Sequence, residues 1–413
     1  MARSTEPDPP APLAPVAGGV GDGAQADLLG GLLAALELEL PGAVALRRRL
    51  HAAPELAHAE RETARALAAE LPIPAESAAG TGLLARVEAP AGGRAIGVRA
   101  EMDALPLSER TGAPFAATGE AMHACGHDVH MAALVALARA AHALRSRLAA
   151  PLLAIFQPSE EAYPSGAEQL AARELAAHAP AAIVAVHVHP ELPWGELAID
   201  AGVVNASCDA FEIAVQGEPA HGAYPHRARD PVLALSQLVL ALHAQLGRRI
   251  DPLHPASLSV GVLAAGSAEN VIPAEARARG ALRAYRTGDR QALRGMVEEV
   301  AHGIAAAHGC RAVVQLTAGE PALENDAAIA ARARRLAPAA GLRAAGAWRS
   351  CGSDDFAFFG SLAPLAMAFV GLDGAPGFAP RPLHHPELLP PEEAVGAVAR
   401  ALALLYVAAA TEL

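Results

Sequence analysis

The chain has 413 residues, enough for two or three domains, with 32 Lys+Arg, 44 Asp+Glu and a formal net charge of −12. All 32 basic residues are arginine, which excludes mechanisms with an obligatory lysine: Schiff-base and pyridoxal chemistry, Walker-type phosphate loops and Ser-Lys hydrolysis. The acidic balance argues against a nucleic-acid binder, and 3% aromatics provide no stacking platform for single strands.

Residues 1–26 are rich in Pro, Gly and Ala and are expected to form a disordered tail. No apolar signal core precedes Asp27, and no uninterrupted apolar run reaches the roughly 18–20 residues of a membrane span. Four cysteines in so long a chain make no disulfide framework. A soluble, cytoplasmic protein that engages neither membrane nor nucleic acid is expected. Helical spacing dominates residues 27–71, after which apolar runs alternate with longer helical stretches, the pattern of an α/β sheet. Four runs, 94–100, 151–156, 181–186 and 365–370, suit strands buried on both faces. Each hands over to ionisable residues beyond its C-terminal end, where open α/β sheets place their ligand crevice. Residues 205–318 read differently, as β-α-β-β-α-β, the ferredoxin-like order. They form a domain inserted into a main domain made of 27–204 and 319–413.

The densest segment is Met122-His-Ala-Cys125-Gly-His127-Asp128-Val-His130. A thiolate and an imidazole two residues apart can bind one metal or bridge two. A helix expected over 131–148 puts them at its N-terminus, which favours the thiolate form of Cys125. Glu160 and Glu161 follow the second run and point to different sides, so that one can bind metal while the other handles protons. His187 follows the third run and shares its strand face with His189. His384 and His385 are adjacent, so at most one faces a metal.

Together these segments resemble the metal-dependent amidohydrolases that include hippurate hydrolase, indoleacetyl-amino-acid hydrolase and bacterial N-acyl-amino-acid deacylases. The resemblance rests on Arg49-Leu-His-Ala-Ala-Pro-Glu55 with Glu60-x-x-Thr63, Arg99-Ala-Glu-Met-Asp-Ala-Leu-Pro106 and the 122–130 segment. It continues through Phe156-Gln-Pro-Ser-Glu-Glu161, His187-Val-His-Pro190, Ala220-His221-Gly, Glu269-Asn-Val-Ile-Pro273, Gly352-Ser-Asp-Asp-Phe356 and Leu383-His384-His-Pro386. It implies a metallo-aminopeptidase-like α/β catalytic domain with an inserted ferredoxin-like α+β lid that dimerises. It also implies two divalent ions, with Zn, Mn, Co and Ni all compatible. Cys125 bridges them, one completed by Glu161 and His384, the other by His127 and His187. Glu160 is then the general base and acid, Asp103 orients a ligand imidazole, and His221 helps to stabilise the oxyanion. Asn270, Arg283 and His189 are placed against the substrate, an N-acyl amino acid or similar small N-acylated amine; the alternatives are a dipeptidase of the same family and a metal-independent cysteine hydrolase with Cys125 as nucleophile and a nearby histidine as base. The chain departs from the pattern at Glu101 and Asp354, where Asp and Glu are usual, at Cys351, where methionine is common, and at Tyr163 and Pro164, where small residues are common. A homodimer is expected through the inserted domain, whose 231–243 helix is apolar around much of its circumference.

Overall fold

The computed structural model describes residues 20–410, with side chains from residue 23. Most of the expected tail thus lies outside the described residues, but its end does not: helix α1 (Val20–Ala52) starts ahead of Asp27. By length and composition α1 is the one described helix apolar enough to cross a membrane. Its Leu29, Leu32, Leu36, Leu46 and Leu50 are buried against two further helices, and it also carries Glu37, Glu39 and Arg47.

The chain continues through α2 (Arg61–Glu70), β1 (Glu76–Ala78), β2 (Gly82–Val87), β3 (Ile96–Glu101), α3 (His127–Ala143) and β4 (Leu152–Gln157). It then forms α4 (Gly166–Ala172), α5 (Glu174–His178), β5 (Ala182–Pro193), β6 (Glu196–Ala198) and β7 (Gly202–Asn205). The inserted stretch holds β8 (Ser207–Gln216), β9 (Ala220–His221), α6 (Pro231–Arg249), β10 (Ala256–Ala265), β11 (Val271–Ile272), β12 (Glu275–Ala284), α7 (Thr287–Ala307) and β13 (Arg311–Ala318). The chain returns through β14 (Leu323–Asn325), α8 (Ala327–Leu336), β15 (Arg343–Ala344), β16 (Leu365–Asp373) and α9 (Glu393–Ala409).

The main sheet has eight strands in the order β1-β2-β4-β3-β5-β16-β6-β15, and its central β4, β3, β5 and β16 are parallel. Successive residues of β5 serve opposite faces. Val184 and Val186 pack towards α1, α3 and α9, whereas Ile183 and Ala185 pack with Leu153, Met367 and Phe359. Covering both faces is what makes these strands continuous apolar runs rather than alternating ones. The inserted sheet is antiparallel throughout, in the order β10-β12-β8-β13, with α6 and α7 against one face. That is the ferredoxin-like arrangement.

Two element boundaries differ from the sequence reading, and both matter for the site. β5 does not stop at residue 186; it runs through His187 and His189 because β16 keeps pairing with it, Phe369 opposite His187 and Gly371 opposite His189. Helix α3 opens at His127 rather than at 131. Gly126 precedes it with φ +84, and a Cβ there would lie 2.5 Å from Val188 Cγ2, so only glycine fits between Cys125 and His127.

Candidate metal centre and active site

The site is assembled from the ends of three parallel strands, the first turn of α3 and the loop after β16. Glu101 ends β3 and Asp103 lies just beyond it; Glu160 and Glu161 lie beyond β4. Cys125 is buried next to the left-handed Gly126, and His127 is the first residue of α3. His384 arrives from the β16 loop in a left-handed conformation (φ +65), held by its N–H to Ala124 O at 2.8 Å.

Two donor groups share one sulfur. Cys125, His127 and His187 each offer an atom within 4.8 Å of the others, and so do Cys125, Glu161 and His384. Cys125 Sγ is 3.5 Å from His187 Nε2, and His384 Nε2 is 3.2 Å from Glu161 Oε1. Glu160 Oε2 stands 3.9 Å from His127 Nε2, and an oxygen of Glu161 lies within 4.8 Å of both residues' donor atoms. Ser159, at φ +52, turns the chain just before the two carboxylates.

The ring nitrogens are set by their partners. His127 Nδ1–H donates to Asp103 O at 2.8 Å and His187 Nδ1–H to Val188 O at 2.6 Å, which leaves both Nε2 atoms free to ligate. Asp103 holds the His127 imidazole with two groups: its carbonyl accepts the Nδ1–H, and its carboxylate Oδ1 lies 3.6 Å from the same nitrogen while Oδ2 accepts Glu161 N–H at 2.8 Å. Asp103 is a positioning residue for the Glu160–Glu161 turn. His385 is not in either group and caps its own turn, accepting Glu387 N–H at 3.1 Å.

The residues fit divalent ions. His127 Nε2 and Glu161 Oε1 are buried without a hydrogen-bond partner, although each has an oppositely charged group within 4 Å. Burial, then the charges of Glu161, Glu160 and Glu101, push the Cys125 thiol well above its ordinary range. In the metal-free protein desolvation and these carboxylates outweigh the helix N-terminus, which favours the thiolate. Burial pulls His127 down, but its Asp103 contact and the surrounding carboxylates outweigh burial and raise it to about 10. Burial holds His187 well below its usual value. Burial and the charges of Glu161, Asp354 and Asp355 raise Glu160 well above the carboxylate range. Such a cluster has the donor chemistry, and the charge deficit, of a two-cation site.

The family model for Peptidase family M20/M25/M40 matches residues 97–407, most of the chain. The chain is a member of peptidase family M20/M25/M40. It is 32% identical over 368 residues to the N-acetylcysteine deacetylase of Bacillus subtilis, covering 88% of this chain and 95% of the relative. It is 33% identical over 371 residues to the N-acetyldiaminopimelate deacetylase of Geobacillus thermodenitrificans, covering 88% and 95%. Among solved structures it is similar to a dinuclear metal-binding peptidase of the M20 family from Bacillus subtilis, with a TM-score of 0.78 and 30% identity over 90% of this chain and 98% of that one. The chain is thus a metal-dependent hydrolase.

In this M20-family chain the donor groups open into a cavity of about 410 Å³. His189 and Arg283 line it. The His189 ring packs against Trp348 at 4.7 Å between centroids, and Trp348 against Phe369 at 4.2 Å. Arg283 Nη1 donates to Cys351 O at 2.9 Å, tying the inserted domain to the loop before Asp354. His221 and Asn270 do not line this cavity. They sit side by side on the exposed ribbon formed by β9 and β11, where Gly222 N–H donates to Asn270 O at 2.7 Å. The ribbon projects from the inserted domain, so within one chain neither reaches the donors.

The substituted Glu101 has a clear role. It pairs with Arg99 and accepts His130 Nδ1–H at 2.9 Å, while His130 Nε2 accepts Val188 N–H at 3.1 Å. This strap fixes the strand segment that carries His187. Sequence reasoning missed Arg99 and Gln157 behind it. Arg99 is fully buried, donates to Gln157 Oε1 at 2.8 Å and Asp355 at 3.0 Å, and lies 3.3 Å from Asp354. The available signal was an arginine and a glutamate at i, i+2, on one face of a strand that is otherwise apolar. Asp354 also caps the turn after it, accepting Phe356 N–H at 2.8 Å. Nothing in the structure explains why Asp rather than Glu stands there.

Proposed function

We propose that this chain hydrolyses the amide bond of a small N-acyl amino acid, releasing a carboxylic acid and a free amine. The observation that carries the reading is Cys125 shared by two donor groups, with Glu160 beside them at the cavity wall. Relatives named for deacetylating N-acetylcysteine and N-acetyldiaminopimelate support that substrate class. In this reading Cys125 with Glu161 and His384, and Cys125 with His127 and His187, would hold two divalent ions; Zn, Mn, Co and Ni all suit the mixed donors. The ions supply an acidified water and polarisation of the scissile carbonyl.

The protein's own groups move the proton. Glu160 takes it from the attacking water and returns it to the leaving nitrogen, and its raised proton affinity suits the second task. Arg283, the one guanidinium among the described residues lining the cavity, holds the substrate carboxylate. His189 and Trp348 form an aromatic wall that limits access of bulk water. His221, as an oxyanion donor, and Asn270 act on the site of a second copy, in a homodimer formed through the inserted domain. The exposure of Leu233 (58%) and Leu240 (72%) on α6 favours that interface, and a monomer mass by light scattering at micromolar concentration would overturn it. All four cysteines are free, as suits a reducing cytoplasm. A Cys125 nucleophile fits poorly, because the buried thiol is driven away from its reactive thiolate form.

The test is a hydrolysis screen of N-acyl amino acids after metal reconstitution, with Glu160→Gln as control. The variant should bind metal and lose on the order of 10²–10⁴-fold in kcat. Full activity of rigorously metal-free protein would sink the reading.

A further inference from the structure

The segment that carries Glu160 and Glu161 belongs to no strand or helix: β4 ends at Gln157 and α4 begins at Gly166. It opens on Ser159, a buried residue with φ +52. A residue other than glycine is disfavoured in that conformation roughly 5- to 30-fold, so something must hold it there. Returning Ser159 to an ordinary helical φ would swing the following chain by about 110° about its N–Cα bond. Glu160 would leave its place 3.9 Å from His127 Nε2.

Every polar atom of Ser159 is engaged. Its N–H donates to Glu60 Oε1 at 2.8 Å, and its carbonyl accepts Gly166 N–H at 3.1 Å. Its Oγ accepts His58 N–H at 2.9 Å and reaches His58 Nδ1 at 2.9 Å and Glu60 Oε1 at 3.3 Å. Glu60 is fully buried, and its other oxygen accepts Thr81 Oγ–H at 2.6 Å.

Glu60 stands just before α2, where a carboxylate ordinarily caps its own helix. It makes no such bond. Glu55 caps α2 instead, accepting Glu62 N–H at 3.2 Å and Thr63 N–H at 2.7 Å. The Glu60 carboxylate is thus released from its helix and turned onto Ser159. Burying a carboxylate is costly unless its oxygens are hydrogen-bonded, and the bonds from Oε1 serve the turn. Asp103 holds the chain two residues further on, through Glu161 N–H. Glu160 therefore lies between two peptide groups, each fastened by a buried carboxylate from elsewhere in the chain.

We propose that Glu60 is a positioning residue for the reaction: its carboxylate keeps Ser159 left-handed and so keeps Glu160 beside His127 at the cavity wall. The inference rests on the amidohydrolase reading above, in which Glu160 carries the proton.

Two variants separate reach from charge. Glu60→Gln keeps an oxygen where Ser159 N–H needs it, loses the charge, and can donate to Thr81 Oγ. Glu60→Asp keeps the charge and draws the oxygens back by one methylene. With metal-loaded protein and the N-acyl amino acid that the hydrolysis screen selects, Glu60→Gln should keep kcat within about threefold of wild type. Glu60→Asp should lose about ten- to a hundredfold in kcat, the effect of one charge-assisted hydrogen bond, with KM within about threefold of wild type. In the Ser159→Gly background, where a left-handed φ carries no penalty, Glu60→Asp should cost about fivefold less than with serine in place. Amide exchange over residues 157–162 of the metal-free protein, followed by mass spectrometry, should quicken in Glu60→Asp and stay near wild type in Glu60→Gln.

Equal losses in the two variants, no loss in either, the reverse order, or a change confined to KM would overturn the proposal while wild-type turnover upheld the amidohydrolase reading. So would unaltered exchange in Glu60→Asp, an undiminished effect in the Ser159→Gly background, or a Glu60→Asp protein that folds in neither background. No turnover by wild-type protein at full metal loading would overturn both.

Discussion

Loading divalent ions into the metal-free protein should release protons, and the structure says from where. At pH 7.5 the Cys125 thiol, pushed up by burial and three carboxylates, is protonated. His127, raised to about 10, is protonated too. Both must become neutral-donor or anionic ligands, so two protons leave. His187 contributes none, since burial already holds it neutral. Glu160, whose proton affinity is raised by burial and by Glu161, Asp354 and Asp355, adds up to one more proton when cationic charge enters. Metal affinity should therefore rise about a hundredfold per pH unit below neutrality, tenfold for each of the two ligand protons. The assay is isothermal titration calorimetry of chelator-treated protein in two buffers of equal pH and different ionisation enthalpy. The dependence of the observed heat on buffer gives the proton count. Two to three protons are expected, falling by about one in Cys125→Ser. A count below one, or a Cys125→Ser count equal to wild type, would refute the reasoning that these residues are the ligands.

Other consequences are open to simpler measurements. Arg99→Met removes the cation among Glu101, Asp354 and Asp355 and leaves buried carboxylates uncompensated; a loss of about 3–5 kcal/mol in urea unfolding is expected. A loss under about 1 kcal/mol would mean the cluster is already neutralised by protonation. His51 lies between Asp128 Oδ2 at 2.9 Å and Glu109 Oε1 at 3.1 Å; burial lowers its proton affinity, but these carboxylates outweigh burial and raise it to about 9. A folded pKa above the unfolded value near 6.5 gives stability that is complete below about pH 6.5 and lost as pH rises through about 9, roughly 3 kcal/mol in all. Unfolding curves at pH 6.5 and 9.5 should show that decline, and His51→Gln should flatten it. Gly126→Ala introduces both a disfavoured φ and a Cβ 2.5 Å from Val188 Cγ2. It should lower metal stoichiometry, read by elemental analysis, and normal metal content in a folded variant would show that the backbone there is not needed to place Cys125 and His127.

Much of the architecture was legible because it depends on local pattern. Apolar runs at 151–156 and 365–370 read as buried parallel strands, and β4 and β16 are that. The 231–248 helix and its ferredoxin-like surroundings were equally clear, since α6 is capped by Asp230 and has a proline at its first position. Boundaries set by pairing were not legible. β5 passes through His187 because β16 continues beside it, and no local property of His187 announces that. The surroundings of Cys125 were not legible for a similar reason: a helix end can be read from sequence, but three carboxylates from β3 and the β4 loop cannot be placed around it.

The sequence by itself determined the inventory: Cys, His and Glu at spacings that suit metal donors, no lysine to offer a rival chemistry, and a second domain interrupting the first. Tertiary structure decided the assignments. It set both the carbonyl and the carboxylate of Asp103 against His127, used Glu101 to strap the His187 strand through His130, and kept His221 and Asn270 away from the donors of their own chain. It also distinguished two buried asparagines, Asn325 saturated and Asn205 with an unpartnered carbonyl. The physical reason is range. Residue type and spacing fix what a side chain can donate or accept, whereas burial, charge and hydrogen-bond satisfaction depend on neighbours up to hundreds of residues away, as with Arg99 and Asp355.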